Sequence, residues 1–105
     1  MTINIRALNM ELTEAIRQYA EEKFQSLEKY EPTIMHVDMQ IGKETNHHHK
    51  GDIFTCSATL EVSGDVLKIE RSEDDLYSAI DKVKDHFRET LAQRKERMED
   101  QKRGV

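Results

Sequence analysis

A single cysteine, Cys56, is the only thiol in this chain, so no disulfide can form within it. That suits a reducing compartment. No apolar run approaches the length needed to cross a bilayer, and the N-terminus does not read as a secretion signal. Together these absences predict a soluble, cytoplasmic chain with no membrane partner. There is no glycine-rich phosphate loop and no nucleophile elbow. The carboxylates are spread over helix surfaces without a paired, desolvated arrangement. Cys56 reads as a buried mid-strand thiol rather than a nucleophile. The expectation is a protein that binds rather than catalyses, with no small-molecule substrate and no cofactor.

What the chain does have is charge. Its 105 residues carry a net charge of −5, unlike the basic balance usual in nucleic-acid binders. The distribution is uneven. Residues 82–103 hold eight Lys/Arg against five Asp/Glu, whereas the rest hold eight against sixteen. Either a basic helical zone rides on an acidic body, or the region is simply a well-solvated charged helix.

The apolar pattern gives the element order. Ile3 and Ile5 alternate with polar neighbours and predict a first strand. Thr13 is a suitable N-cap. Leu12, Ile16, Ala20, Phe24 and Leu27 then share one helical face until Pro32, the only proline, ends the helix. Met35, Val37, Met39 and Ile41 alternate as a second strand. Gly42 to Asp52 is polar and reads as a loop. Phe54 to Val62 alternates as a third strand, and Ser63-Gly64-Asp65 is a tight turn. Val66 to Arg71 returns as a fourth, with Leu67 and Ile69 inward. Ser72 followed by Asp75 predicts a capping box for the last helix, whose stripe is Leu76, Ile80, Val83, Phe87, Leu91 and Met98.

The order is thus β-α-β-β-β-α. The predicted fold class is α+β: a four-stranded, mostly antiparallel sheet with two helices packed on one face. Residues 1–98 form the expected single domain, and 99–105 a flexible charged tail.

Three places could carry chemistry. At about 100° per residue, the apolar stripe of the last helix is flanked by Lys84, Arg88 and Lys95 on one side. Lys82, His86 and Arg97 lie on the other, with Asp81, Asp85, Glu89 and Glu96 on the back. Ordinary i,i+3 ion pairing accounts for the same pattern. In the first helix Lys23 falls inside the apolar stripe, where its stem can pack and its ammonium emerge near the groove between the helices. A rim lysine covering aliphatic surface is the plain alternative. Finally, His47-His48-His49-Lys50 sits in the polar loop. At most His47 and His49 could face one ion, and a structural zinc site wants four ligands. No metal is expected there. A solvated loop, or imidazoles that meet RNA beside a phosphate-seeking Lys50, are the remaining readings.

Several stretches resemble one family. They are Thr13-Glu14-Ala15-Ile16-Arg17, Lys23-Phe24-Gln25-Ser26-Leu27-Glu28-Lys29-Tyr30 and Glu73-Asp74-Asp75-Leu76-Tyr77-Ser78-Ala79-Ile80-Asp81-Lys82-Val83. In order and spacing, over residues 1 to about 98, they are similar to the ribosome hibernation-promoting factors, also called sigma-factor modulation proteins. The resemblance implies a β-α-β-β-β-α fold reminiscent of double-stranded RNA-binding domains. It implies a non-enzymatic translation inhibitor acting under stress. Its partner would be the small ribosomal subunit, alone or within the intact ribosome. There it would occupy the decoding region between the subunits, overlapping the paths of messenger and transfer RNA. Basic side chains would neutralise ribosomal RNA phosphates, with no cofactor.

Lys23 matches a basic position of the family's first helix, and Lys95 and Arg97 match late positions of the second. The loop from Asn46 to Asp52 resembles one found in some members. Other basic positions are replaced, by Ser26, His86, Glu89 and Gln93, and Thr90 stands where the family has a glutamine, with Arg88 and Arg94 as partial compensation. His86 would make binding sensitive to pH. The RNA-binding set implied is Lys23, Lys29, His47, His49, Lys50, Lys82, Lys84, His86, Arg88, Arg94, Lys95 and Arg97. Long members carry a further C-terminal domain, so the resemblance implies a short form. The replaced positions leave a second reading open: a protein-interaction module on the same scaffold, without ribosome binding.

Overall fold

The computed structural model describes residues 1–45 and 51–102. The elements run β1 (Thr2–Leu8), α1 (Glu14–Gln25), a 3₁₀ turn (Ser26–Lys29), β2 (His36–Thr45), β3 (Asp52–Val62), β4 (Asp65–Glu73) and α2 (Leu76–Lys102). The strands form one sheet in the order β1-β2-β3-β4. β1 lies parallel to β2, and the other pairs are antiparallel. This is the α+β architecture that the alternation predicts.

One sheet face is dry. Ile5, Met39, Ala58 and Ile69 form one row across all four strands, and Ile3, Val37, Leu60 and Leu67 the next. Both helices bury their stripes on this face. Ile16, Ala20 and Phe24 come from α1, and Leu76, Ala79, Ile80, Val83, Phe87 and Leu91 from α2. Phe24 and Phe87 meet edge to face, with centroids 6.0 Å apart. Two fully buried rings placed this way contribute beyond their area burial. The opposite face is wet, carrying rows such as Asn4, Asp38, Thr59 and Lys68.

Thr13 caps α1 as its sequence position predicts, its Oγ1 accepting from the Ile16 amide at 3.2 Å. α1 ends before Pro32 acts. The Ser26 hydroxyl bonds back to the Lys23 carbonyl at 2.6 Å, and the chain tightens into the 3₁₀ turn that still buries Leu27. Short polar side chains offer the backbone this alternative to the helix.

Several expectations differ from the structure. Gly42–Thr45 is strand rather than loop, because Asp52–Thr55 supplies ladder partners and Lys43 pairs with Asp52 at 3.2 Å. β4 likewise runs on through Ser72 and Glu73, which pair with Thr55 and Phe54. Ser72 therefore cannot cap α2; Asp75 does, accepting from the Ser78 amide at 3.0 Å. Met35 and Met98, read as inward, are 52% and 46% exposed. Met35 precedes β2, and Met98 lies in the part of α2 where every residue from Lys95 to Gln101 is exposed. The helix itself continues past Met98 to Lys102.

Candidate nucleic-acid interface

The two helices lie side by side, and the seam between them is where chemistry concentrates. Lys23 stands in it as its stripe position predicts. Its Nζ lies 5.4 Å from the Tyr19 ring centroid and 3.8 Å from Asp81 Oδ1. Asp81 is thus not on the solvent-facing back of α2, where the helical pattern alone placed it. It turns into the seam and accepts a 2.6 Å hydrogen bond from the Tyr19 hydroxyl. That bond, with burial and the carboxylate charge, pushes the Tyr19 phenol up to about 12. The Tyr19 ring in turn packs edge-on against Tyr77, with centroids 4.8 Å apart.

Further along the same flank, Lys29 at the end of the 3₁₀ turn places its Nζ 5.2 Å from the Tyr30 ring centroid. Arg88 lies near Tyr30 on the α2 side. Hydrogen bonding from Arg88, reinforced by the charges of Arg88 and Lys29, holds that phenol below the ordinary tyrosine range. Lys84 and Lys95 share the flank of Arg88 at helical spacing. Lys84 is mostly covered and lies 3.4 Å from Asp85; Lys95 is exposed beside Tyr30. Lys23, Lys29, Lys84, Arg88 and Lys95 therefore form one line of cations along the seam.

The remaining candidates lie elsewhere. Lys82 crosses to β4 and pairs with Glu73 at 2.7 Å. His86 is on the same side, in a shallow recess with Arg71, Lys82, Asp85 and Glu89. Its Nδ1 is buried and has no hydrogen-bond partner among the described residues. Arg97 is exposed on the free end of α2. Arg94 is occupied structurally. It pairs with Glu31 at 2.8 Å, donates to the Ser63 carbonyl and approaches Asp65 at 3.9 Å. It thus ties α2 to the β3–β4 turn and to the segment before β2. His47, His49 and Lys50 lie outside the described residues. Among the described residues, no three His, Cys, Asp or Glu side chains come together to hold a metal ion. Cys56 is fully buried, and burial pushes its thiol up to about 12. Among the described residues, no helix is long and apolar enough to cross a membrane.

Sequence reasoning missed Tyr30 and Arg71 as members of these surfaces. Tyr30 follows Lys29 directly, but nothing local indicates that Arg88, in another helix, comes near it.

Comparison with known proteins places the chain. Residues 3–99 match the model of the Sigma 54 modulation protein / S30EA ribosomal protein family. The chain belongs to this family. It is 33% identical over 98 residues to a ribosome hibernation promoting factor of Escherichia coli strain K12, covering 93% of this chain and 97% of that one. It is 30% identical over 104 residues to the factor of the same name in Azotobacter vinelandii, covering 99% and 92%. The Deinococcus radiodurans ribosome hibernation promotion factor is 31% identical over 91 residues, covering 85% of this chain but 46% of that longer protein. Among solved structures, the N-terminal domain of Thermus thermophilus Protein Y superposes with a TM-score of 0.70 at 22% identity, covering 89% and 98%. A ribosomal subunit interface protein from Coxiella burnetii gives 0.77 at 17% identity, covering 90% and 98%. The family's fold is therefore this chain's fold, and a ribosome-associated role follows from the family.

Proposed function

We propose that this protein is a translation inhibitor that binds the small ribosomal subunit in the decoding and intersubunit region and holds idle ribosomes under stress. It acts in the cytoplasm by occupancy rather than catalysis. The observation that carries the reading is the line of cations along the α1–α2 seam in a chain of the hibernation family. Five basic groups on one flank can follow an RNA backbone. Lys23, Lys29, Lys84, Arg88 and Lys95 form the main contact, with Lys82, His86, Arg94 and Arg97 of α2 and His47, His49 and Lys50 at its margins. Lys23 and Lys82 are exposed and paired with carboxylates, and Lys84, mostly covered, lies beside the exposed Asp85. Such pairs are worth little and exchange readily for a phosphate.

The test is sucrose-gradient co-sedimentation with bacterial ribosomes and small subunits over a salt series. The expected result is binding that weakens with salt, and that is reduced by Lys23→Glu and by Arg88→Glu with Lys95→Glu. Failure to co-sediment even at low salt would sink the proposal. It would favour the protein-interaction module instead, in which the carboxylate pairs have taken over the cations.

A further inference from the structure

At one end of the seam lies a groove of about 270 Å³ between the segment preceding β2 and the free end of α2. Tyr30 and Pro32 line one side, and Lys95, Met98 and Glu99 the other. Resting on the RNA reading above, we propose that this groove is a stacking site for a single unpaired RNA base, with Tyr30 as the platform and Met98 as the opposite wall.

Tyr30 is held in place before any ligand arrives. It is half-buried against the core, with the Lys29 Nζ 5.2 Å from its ring centroid and the Arg88 charge nearby. A fixed aromatic ring loses little conformational entropy when something stacks on it. Met98 stands at 46% exposure on a stretch of α2 whose residues from Lys95 to Gln101 are all exposed. Its flexible thioether adapts to a flat π-surface. The lining charges leave a cationic rim. Within the lining Glu31 and Arg94 neutralise each other at 2.8 Å and Glu99 offsets Lys95, while Lys29 and Arg88 add two cations at Tyr30. A slot with apolar walls beside cations matches a nucleotide, whose base is flat and apolar on its faces and whose backbone is anionic. A paired helix hides those faces in its own stack, so the ligand is a base from a loop, bulge or end. The cations of the seam then continue along the flanking phosphates.

The two contributions separate by salt. Stacking carries no counterion release, whereas each lost phosphate contact lowers the salt slope by roughly 0.7–0.9. The experiment is small-subunit binding over a potassium chloride series, with chemical probing of the ribosomal RNA bases. The variants are Tyr30→Leu, Met98→Ser, Tyr30→Phe and Lys95→Gln, each checked for folding by circular dichroism. Met98 is exposed, so Met98→Ser reads the groove even where Tyr30→Leu disturbs the fold. Tyr30→Leu and Met98→Ser are expected to weaken binding about tenfold at unchanged salt slope. Both should re-expose one base that the wild type protects. Tyr30→Phe should keep that protection, and Lys95→Gln should lower the slope. Wild-type affinity in both groove variants would overturn the proposal. So would lost affinity with base protection intact, which would assign the groove to a ribosomal protein. Absence of wild-type binding would instead overturn the ribosome reading, and this site with it.

Discussion

Asp81 of α2 accepts a 2.6 Å hydrogen bond from the Tyr19 hydroxyl of α1 while standing 3.8 Å from the Lys23 ammonium. One carboxylate therefore fastens the two helices and offsets the cation best placed between them. The same contact stabilises the seam and moderates its charge.

Removing that charge should strengthen RNA binding. Asp81→Asn keeps an acceptor for Tyr19 but releases Lys23. Ribosome affinity at low salt is expected to rise by up to about fivefold, the range of an exposed ion pair. The gain should vanish at high salt as screening takes over. Unchanged affinity in a low-salt binding titration would remove Lys23 from the contact.

The tyrosines should ionise in a set order. Tyr30 is held below its ordinary range by Arg88 and Lys29, and Tyr19 is raised from 10.0 to about 12 by Asp81. An absorbance titration of the phenols should lose its earliest step in Tyr30→Phe and its latest in Tyr19→Phe. The folded state holds the Tyr19 proton longer than the unfolded chain. Its stabilising contribution is therefore full below the unfolded value near 10 and is lost as pH rises through about 12. A late step that survives in Tyr19→Phe would place it on another group.

Arg94 should matter more for folding than for binding. Its side chain is only 14% exposed and joins Glu31, Asp65 and the Ser63 carbonyl. Arg94→Met leaves those acceptors without their donor and should cost about 1–3 kcal/mol in urea unfolding. Unchanged stability together with lost ribosome binding would move Arg94 from the margin to the main contact.

Cys56 should be silent in the native protein. Its fully buried thiol, raised from 9.0 to about 12, stays protonated at pH 8 and out of reach of a disulfide reagent. Reaction should begin only when urea unfolds the chain. Rapid labelling under native conditions would show that β3 opens.

The element order was legible because each element repeats its own signal. Ile3 and Ile5, then Val37, Met39 and Ile41, alternate with period two. Ile16, Ala20 and Phe24 recur at helical spacing, and Thr13 supplies a cap whose hydrogen bond is local. Such patterns need no knowledge of the rest of the fold. The extents of β2 and β4 were not legible. Lys43, Glu44, Ser72 and Glu73 have no strand signature, and they are strand only because β3 lies alongside with free ladder groups. The cap of α2 moved from Ser72 to Asp75 for the same reason.

The basic residues could be enumerated from the sequence, but not their availability. Arg94 and Lys95 are neighbours in the chain. One is bound up by Glu31 and the β3–β4 turn, and the other stands free at the groove. Asp81 sits among acids on a helical wheel yet turns to Tyr19 and Lys23, since only the packing of α1 against α2 puts those groups within reach. By itself the sequence determined the elements, their inward faces and the family, because these depend on side-chain type at fixed spacing. The tertiary structure alone decided which cations share a surface, which are neutralised, and that Tyr30, Pro32 and Met98 enclose one groove. Those facts depend on distances between residues far apart in the chain.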